Sequence, residues 1–268
     1  MTGRRYDSVP MRRAPRLLAA LVAALAFGTA ACTGGSDNRP SLAPEKTPVS
    51  IAASTATTVP APNGWIVSAA VPLLQVYDTP GSATPTRQFE NPWYYPGDTA
   101  KKYPITSVFY SEQQRDGWVK VLLPVRPNGT SGWVRAADVR LVPSRFRIEV
   151  DLSQHRLTVY EGDAVYLQDT VAVGAPDTPT PVGKYYLRVL LQAPDPTTVY
   201  GPYAFGLSSH SDTLEEFNGG DAEVGIHGNN DASTLGQDVS HGCIRMDNAK
   251  ITQLARSVPL GTPVEVNA

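Results

Sequence analysis

Residues 145–174 read RFRIEVDLSQHRLTVYEGDAVYLQDTVAVG. Apolar and polar side chains alternate through three runs, interrupted by LSQH at 152–155 and EGDA at 161–164. An alternation of period two turns one side of each run toward a core and the other toward water, so the stretch predicts a β-meander. Downstream, APDTPTPVGKYYL at 175–187 supplies a Pro-rich loop that feeds another strand, and TPVEV at 262–266 reads as a last one. One helix is expected: Asp247 or Asn248 can cap a run that puts Ile251, Leu254 and Ala255 on one face, and Pro259 stops it. This second block, 144–268, has about 125 residues, enough for its own core. The sequence holds no internal repeat, and the class expected is mostly β with one or two short helices.

The chain at 64–143 has another texture. All four tryptophans, Trp65, Trp93, Trp118 and Trp133, fall before residue 141. Short alternating runs, WVKVLLPV and GWVRAADV, flank RPNGTSG at 126–132, a turn cluster with Asn-Gly at its centre. The stretch 116–142 resembles the closing hairpin of a bacterial SH3-like domain, a small β-barrel often attached to cell-wall enzymes. The tryptophans fit either the core of such a barrel or an aromatic ligand groove.

Residues 1–63 are not globular sequence. Arg4, Arg5, Arg12, Arg13 and Arg16 precede an apolar run from Leu17 to Phe27 and then GTAAC, the layout of an export signal over 1–31. The run is shorter than the roughly twenty residues a bilayer-spanning helix needs. Thr29, Ala30 and Ala31 directly before Cys32 resemble a lipoprotein lipobox, with Thr29 where leucine is usual. Lipidation of Cys32 would anchor an exported protein to the cell membrane, facing the wall or periplasm; plain secretion is the alternative. RRYDSVP fits a twin-arginine signal poorly. Residues 32–63 are Pro-, Ala- and Thr-rich without an aromatic, the composition of a tether. Removing 1–31 takes away five arginines and Asp7, which leaves 18 basic and 24 acidic residues. An acidic mature chain speaks against a nucleic-acid partner, whose phosphates require a basic surface.

With Cys32 set aside for lipid, Cys243 has no partner cysteine in the chain. A lone thiol in an oxidising compartment is either kept for reactivity or simply a small buried hydrophobe. The neighbouring sequence favours reactivity. A thiol attacks as thiolate and needs a base nearby, and His227 and His241 are candidates. His227 follows the apolar VGI and would close a strand, and GNNDASTLGQDV can loop Cys243 back beside it. Gly228 could offer its carbonyl to the imidazole Nδ1–H, leaving Nε2 to accept a proton. Gly242 allows a strained turn before the nucleophile, and backbone N–H groups around Gly242 and Cys243 could serve an oxyanion. Arg245, two residues on, could pair with a substrate carboxylate. Zinc is the rival for a His/Cys cluster, but Cys243, one or two histidines and Asp231 lack a recurring ligand spacing.

HGNNDASTLGQDVSHGCIRM at 227–246 closely resembles the signature of YkuD-type L,D-transpeptidases, a His-Gly pair followed by Ser-His-Gly-Cys-Ile-Arg. The resemblance covers 145–268, including TPTPVGKYYL. It implies a β-sandwich with Cys243 as nucleophile, His227 as base and Gly228 as the orienting carbonyl. Ser240, His241 and Gly242 would shape the pocket and oxyanion hole, and Arg245 would contact substrate, where some mycobacterial members have asparagine. Tyr200 and Tyr203 would either line the donor cleft or pack in a β-turn. The reaction implied is on peptidoglycan stem peptides: Cys243 displaces the terminal D-alanine of a tetrapeptide, and an amine of a neighbouring stem resolves the thioester into a 3→3 cross-link. Acylation by carbapenems is also implied, and no cofactor is. Water as acceptor would make the same site a carboxypeptidase or endopeptidase. The cysteine peptidases of the NlpC/P60 type place their cysteine before their histidine, the reverse of the order here. A non-catalytic wall-binding lipoprotein is the reading from another class.

Overall fold

Eight short strands come first: β1 (Trp65–Ala69), β2 (Leu73–Val76), β3 (Arg87–Glu90), β4 (Val108–Ser111), β5 (Gln113–Arg115), β6 (Trp118–Leu122), β7 (Ser131–Arg135) and β8 (Val139–Pro143). In this computed structural model the described residues are 63–96, 100–193, 195–217 and 220–268. The expected export signal, Cys32 and all of the expected tether but Asn63 lie outside them. β1 pairs antiparallel with β4 and β8, β2 with β3, and β6 with both β5 and β7. β6 and β7 form the hairpin expected around Asn128-Gly129, with Leu122 opposite Ser131. Alternation sends Val119 and Val121 inward from β6, where they meet Val67, Leu74, Val76, Phe109 and Val134. Of the four tryptophans only Trp133 is buried; aliphatic residues fill this core together with the rings of Phe109, Tyr110 and Tyr186, and the other three indoles are partly exposed.

The 145–174 meander forms as its alternation requires. β9 (Phe146–Asp151), β10 (Arg156–Glu161) and β11 (Ala164–Thr170) pair antiparallel in sequence order, and Ile148, Val150, Leu157 and Val159 point into a second core. There follow β12 (Val173–Gly174), β13 (Gly183–Gln192), β14 (Tyr203–His210), β15 (Glu223–His227), β16 (Asp238–Ser240), β17 (Ile244–Arg245), helix α1 (Asn248–Ser257) and β18 (Pro263–Asn267). The main sheet has eight strands in the order β11-β10-β9-β18-β13-β14-β15-β17. TPVEV is thus inserted in the middle of the sheet, parallel to β9 and antiparallel to β13. The class is mostly β, as the alternation predicts.

Helix α1 is the only α-helix among the described residues, beside two short 3₁₀ turns at Ala136–Asp138 and Ala232–Thr234. The Asp247 carboxylate caps it, accepting from the Ala249 and Lys250 N–H groups at 2.8 and 3.2 Å. Ile251 and Leu254 are buried against the sheet. Asn248 is therefore released from capping and is used elsewhere.

Candidate active site

β15 and β17 run parallel, with Ile226 opposite Ile244 and His227 opposite Arg245. Alternation sorts their side chains onto two faces. Val224, Ile226, Ile244 and, just beyond β17, Met246 enter the core. Glu223, Gly225 and His227 fall on the opposite face of β15, beside Cys243 and Arg245. One parallel pairing thereby gathers groups sixteen residues apart in the chain onto one surface. The Met246 N–H donates to the His227 carbonyl at 2.9 Å and fixes the register beyond the strand ends.

The turn that presents Cys243 is closed by a buried serine. Ser240 Oγ donates to the Cys243 carbonyl at 2.5 Å and accepts from the Gly242 N–H at 3.1 Å. Gly242 sits at φ +110°, a backbone conformation side chains strain to adopt. Its N–H is committed to Ser240, so it is not a free oxyanion donor in this arrangement. Beneath the turn lies the Pro-rich loop: Thr178 Oγ1 donates to the Ser240 carbonyl at 3.0 Å, and Thr180 Oγ1 donates to the Gly242 carbonyl at 2.9 Å. Thr180 also accepts from the Gly174 N–H at 2.9 Å.

His227 is buried, and its Nδ1 lies 2.7 Å from the Gly228 carbonyl. A carbonyl only accepts, so Nδ1 carries the proton and Nε2 is the basic atom. Burial lowers the imidazole to about 4, against which the Gly228 hydrogen bond acts and to which the Arg245 charge adds. Cys243 is half-buried, and burial pushes its thiol up, while a hydrogen bond from the Gly225 backbone and the charge of Arg245 pull it down. At neutral pH the resting pair is thiol and neutral imidazole. Desolvation outweighs the neighbouring cation at the resting thiol.

Arg245 acts on Cys243, His227 and Asp231 alike, and its Nε is buried without a hydrogen-bond partner among the described residues. An orphaned guanidinium nitrogen beside the thiol suits an anionic substrate group. Tyr200 meets the His227 ring edge-on at 5.0 Å between centroids. Tyr203 packs against the main core and offers its carbonyl to the Gly228 N–H at 3.1 Å. His241 points outward and lies against Phe217, 5.2 Å between centroids. Among the described residues no three His, Cys, Asp or Glu side chains gather as a metal site.

Residues 145–266 match the family described as YkuD, the L,D-transpeptidase catalytic domain. The proposed L,D-transpeptidase YkuD of Bacillus licheniformis is 32% identical over 178 residues, 64% of this chain and 94% of that protein. The chain belongs to the YkuD L,D-transpeptidase family. Its namesake in Bacillus subtilis is 33% identical over 122 residues, 46% of this chain and 66% of that one. Among solved structures, L,D-transpeptidase 3 of Mycobacterium tuberculosis is similar over 60% of this chain and 91% of its own, at 15% identity and a TM-score of 0.42.

Several residues of this YkuD site escape a reading of the sequence. Asn248 Oδ1 accepts from the Asn229 N–H at 2.9 Å. It packs so tightly that a Cβ at Gly201 or Gly228 would lie 2.2 or 2.3 Å from it. These contacts fix the segments that follow Tyr200 and His227. Thr178 and Thr180 act through hydroxyls on distant backbone, and nothing in TPTP announces that.

Glu223 is the fourth such residue. Its carboxylate pairs with Arg188 at 3.3 Å while Oε1 is buried without a partner among the described residues. Gly206 makes room for it, since a Cβ there would stand 2.6 Å from Oε1. Burial raises the carboxyl from 4.5 to about 7, with Arg188 opposing. A folded value above the unfolded one means that the folded state holds the proton longer, so stability present below pH 4.5 is lost as pH rises through 7. The loss is expected to reach about 3 kcal/mol. Thermal melts at pH 5 and pH 8.5 should show Glu223→Gln losing less stability across this interval than the parent. Equal losses would place the titration elsewhere.

Proposed function

We propose that this family member is an exported peptidoglycan L,D-transpeptidase that forms 3→3 cross-links through a thioester on Cys243. What supports this best is the single sheet face bearing Cys243, the Nε2 of a tautomer-fixed His227 and the Nε of Arg245, which has no hydrogen-bond partner among the described residues. Cys243 Sγ attacks the carbonyl of the third stem residue while its proton passes to His227 Nε2. Collapse of the tetrahedral adduct breaks the bond to D-alanine, and His227 returns the proton to the departing amine. The amine of a second stem then attacks the thioester, forms the new amide and restores the thiol. Arg245 holds a stem carboxylate and Tyr200 borders the donor side of His227. No step requires a cofactor.

The organisation proposed with this activity is an export signal over 1–31, a lipid on Cys32, a tether to residue 63, an SH3-like module over 64–143 and the catalytic domain over 144–268. A lipid-anchored enzyme on a tether would reach wall peptides outside the membrane. Mass spectrometry of the purified protein with disaccharide-tetrapeptide stems tests the chemistry. Loss of D-alanine together with a cross-linked dimer is expected. Loss without dimer would make the enzyme a hydrolase, and unchanged stems would favour a wall-binding lipoprotein.

A further inference from the structure

The hairpin turn between β6 and β7 has an occupation that the activity does not explain. Arg126 Nη1 donates to the Ser211 carbonyl, and Nη2 donates to the carbonyls of Leu214 and Asp221 at 2.9 and 2.8 Å. Two residues on, Asn128 pairs with the backbone of His210 in both directions: Nδ2 donates to its carbonyl at 2.8 Å and Oδ1 accepts from its N–H at 2.9 Å. Asn128 Nδ2 also reaches Asp212 Oδ1 at 3.0 Å. All these partners belong to the end of β14 and the connection to β15, positions 211–222.

That connection touches the catalytic groups at two points. At Glu223 it becomes β15, the strand that ends in His227. Before that it places Phe217 against His241, two residues ahead of Cys243. Its limbs are tied by the ring of His210, whose Nε2 lies 3.0 Å from Asp221 Oδ2, and by Ser211 Oγ, which accepts from the Leu214 N–H at 3.1 Å. Twelve residues between paired strands carry many conformations unless something fixes them. A planar guanidinium can serve three carbonyls at once; an ammonium on a flexible stem cannot do so in the same geometry.

We propose that Arg126 and Asn128 are positioning residues of the transpeptidase site: they clamp the 210–221 connection so that Phe217 rests on His241 and the Ser240–Cys243 turn keeps its reactive shape. The eight N-terminal strands then act on catalysis from within the chain, and not only as a wall-binding module. The effect on turnover rests on the proposed transpeptidase activity; the clamp itself does not.

The test uses Arg126→Met, Arg126→Lys, Phe217→Ala and the Arg126→Met/Phe217→Ala double variant, with two readouts. Proton NMR of the histidine side chains, of which the chain has four, reports the ring current of Phe217 on His241. Steady-state kinetics with tetrapeptide stems report kcat and KM. The His241 signal is expected to move by the same amount in Arg126→Met and Phe217→Ala, with Arg126→Lys between them and the parent. Each single variant is expected to lose about tenfold or more in kcat/KM, and the double variant to lose no more than the worse single one, as residues acting through one contact do. An unmoved His241 signal in folded Arg126→Met, or losses that multiply in the double variant, would overturn the clamp. If the parent protein turns over no stem, the transpeptidase proposal fails, and the His241 signal still decides whether the clamp exists.

Discussion

Cys243→Ala is expected to end D-alanine release, with a fall on the order of a million-fold, the scale seen when a covalent enzyme loses its nucleophile. No other thiol lies among the described residues, and the hydroxyl of the same turn is already engaged: Ser240 is locked between the Cys243 carbonyl and the Gly242 N–H. The fold should survive. Ser240, Thr178 and Thr180 hold the turn through backbone groups that alanine keeps, and the substitution removes one sulfur from a half-buried position. A melt within a few degrees of the parent's would establish that. Intact mass after brief exposure to stems, or to a carbapenem, then separates the two proteins. The parent gains an acyl group and the variant stays at its own mass. D-alanine release by the folded variant would remove the thioester mechanism.

The parts of this site that the sequence reveals are those whose chemistry is local. The alternation in 145–174 suffices for β9–β11 because each of these strands pairs with its neighbour in the chain. Asp247 announces α1 because a cap acts within one turn. Cys243 and His227 stand out because few residue types can be nucleophile or base. The middle position of β18 is not legible, since TPVEV would serve equally at an edge. Thr178, Thr180, Asn248, Arg126 and Asn128 are silent for a related reason: each acts on the backbone of a distant segment, 19 residues away for Asn248 and 85 for Arg126 and Ser211. Glu223 reads as an ordinary surface carboxylate until Gly206 and Arg188 are placed beside it.

His227→Gln should cost about a hundred- to ten-thousandfold in kcat at pH 7, the usual worth of a general acid–base group. Glutamine's amide lies at the place of Nε2 and not of Nδ1, so the variant has no basic atom to take the thiol proton and also gives up the hydrogen bond to the Gly228 carbonyl. The electrostatics sharpen the expectation. With the imidazole lowered to about 4 and the thiol pushed up, a standing thiolate–imidazolium pair is disfavoured, and the proton must move as Sγ attacks. Two consequences follow for the pH profile. In the parent the acid limb of kcat/KM lies near 4, because His227 remains able to accept a proton well below the range of an exposed histidine. In His227→Gln that limb disappears, and the residual rate climbs with pH as solvent base deprotonates the raised thiol. An acid limb between 6 and 7 in the parent would mean that the imidazole is solvated when it works. A variant profile parallel to the parent's would mean that another group takes the proton.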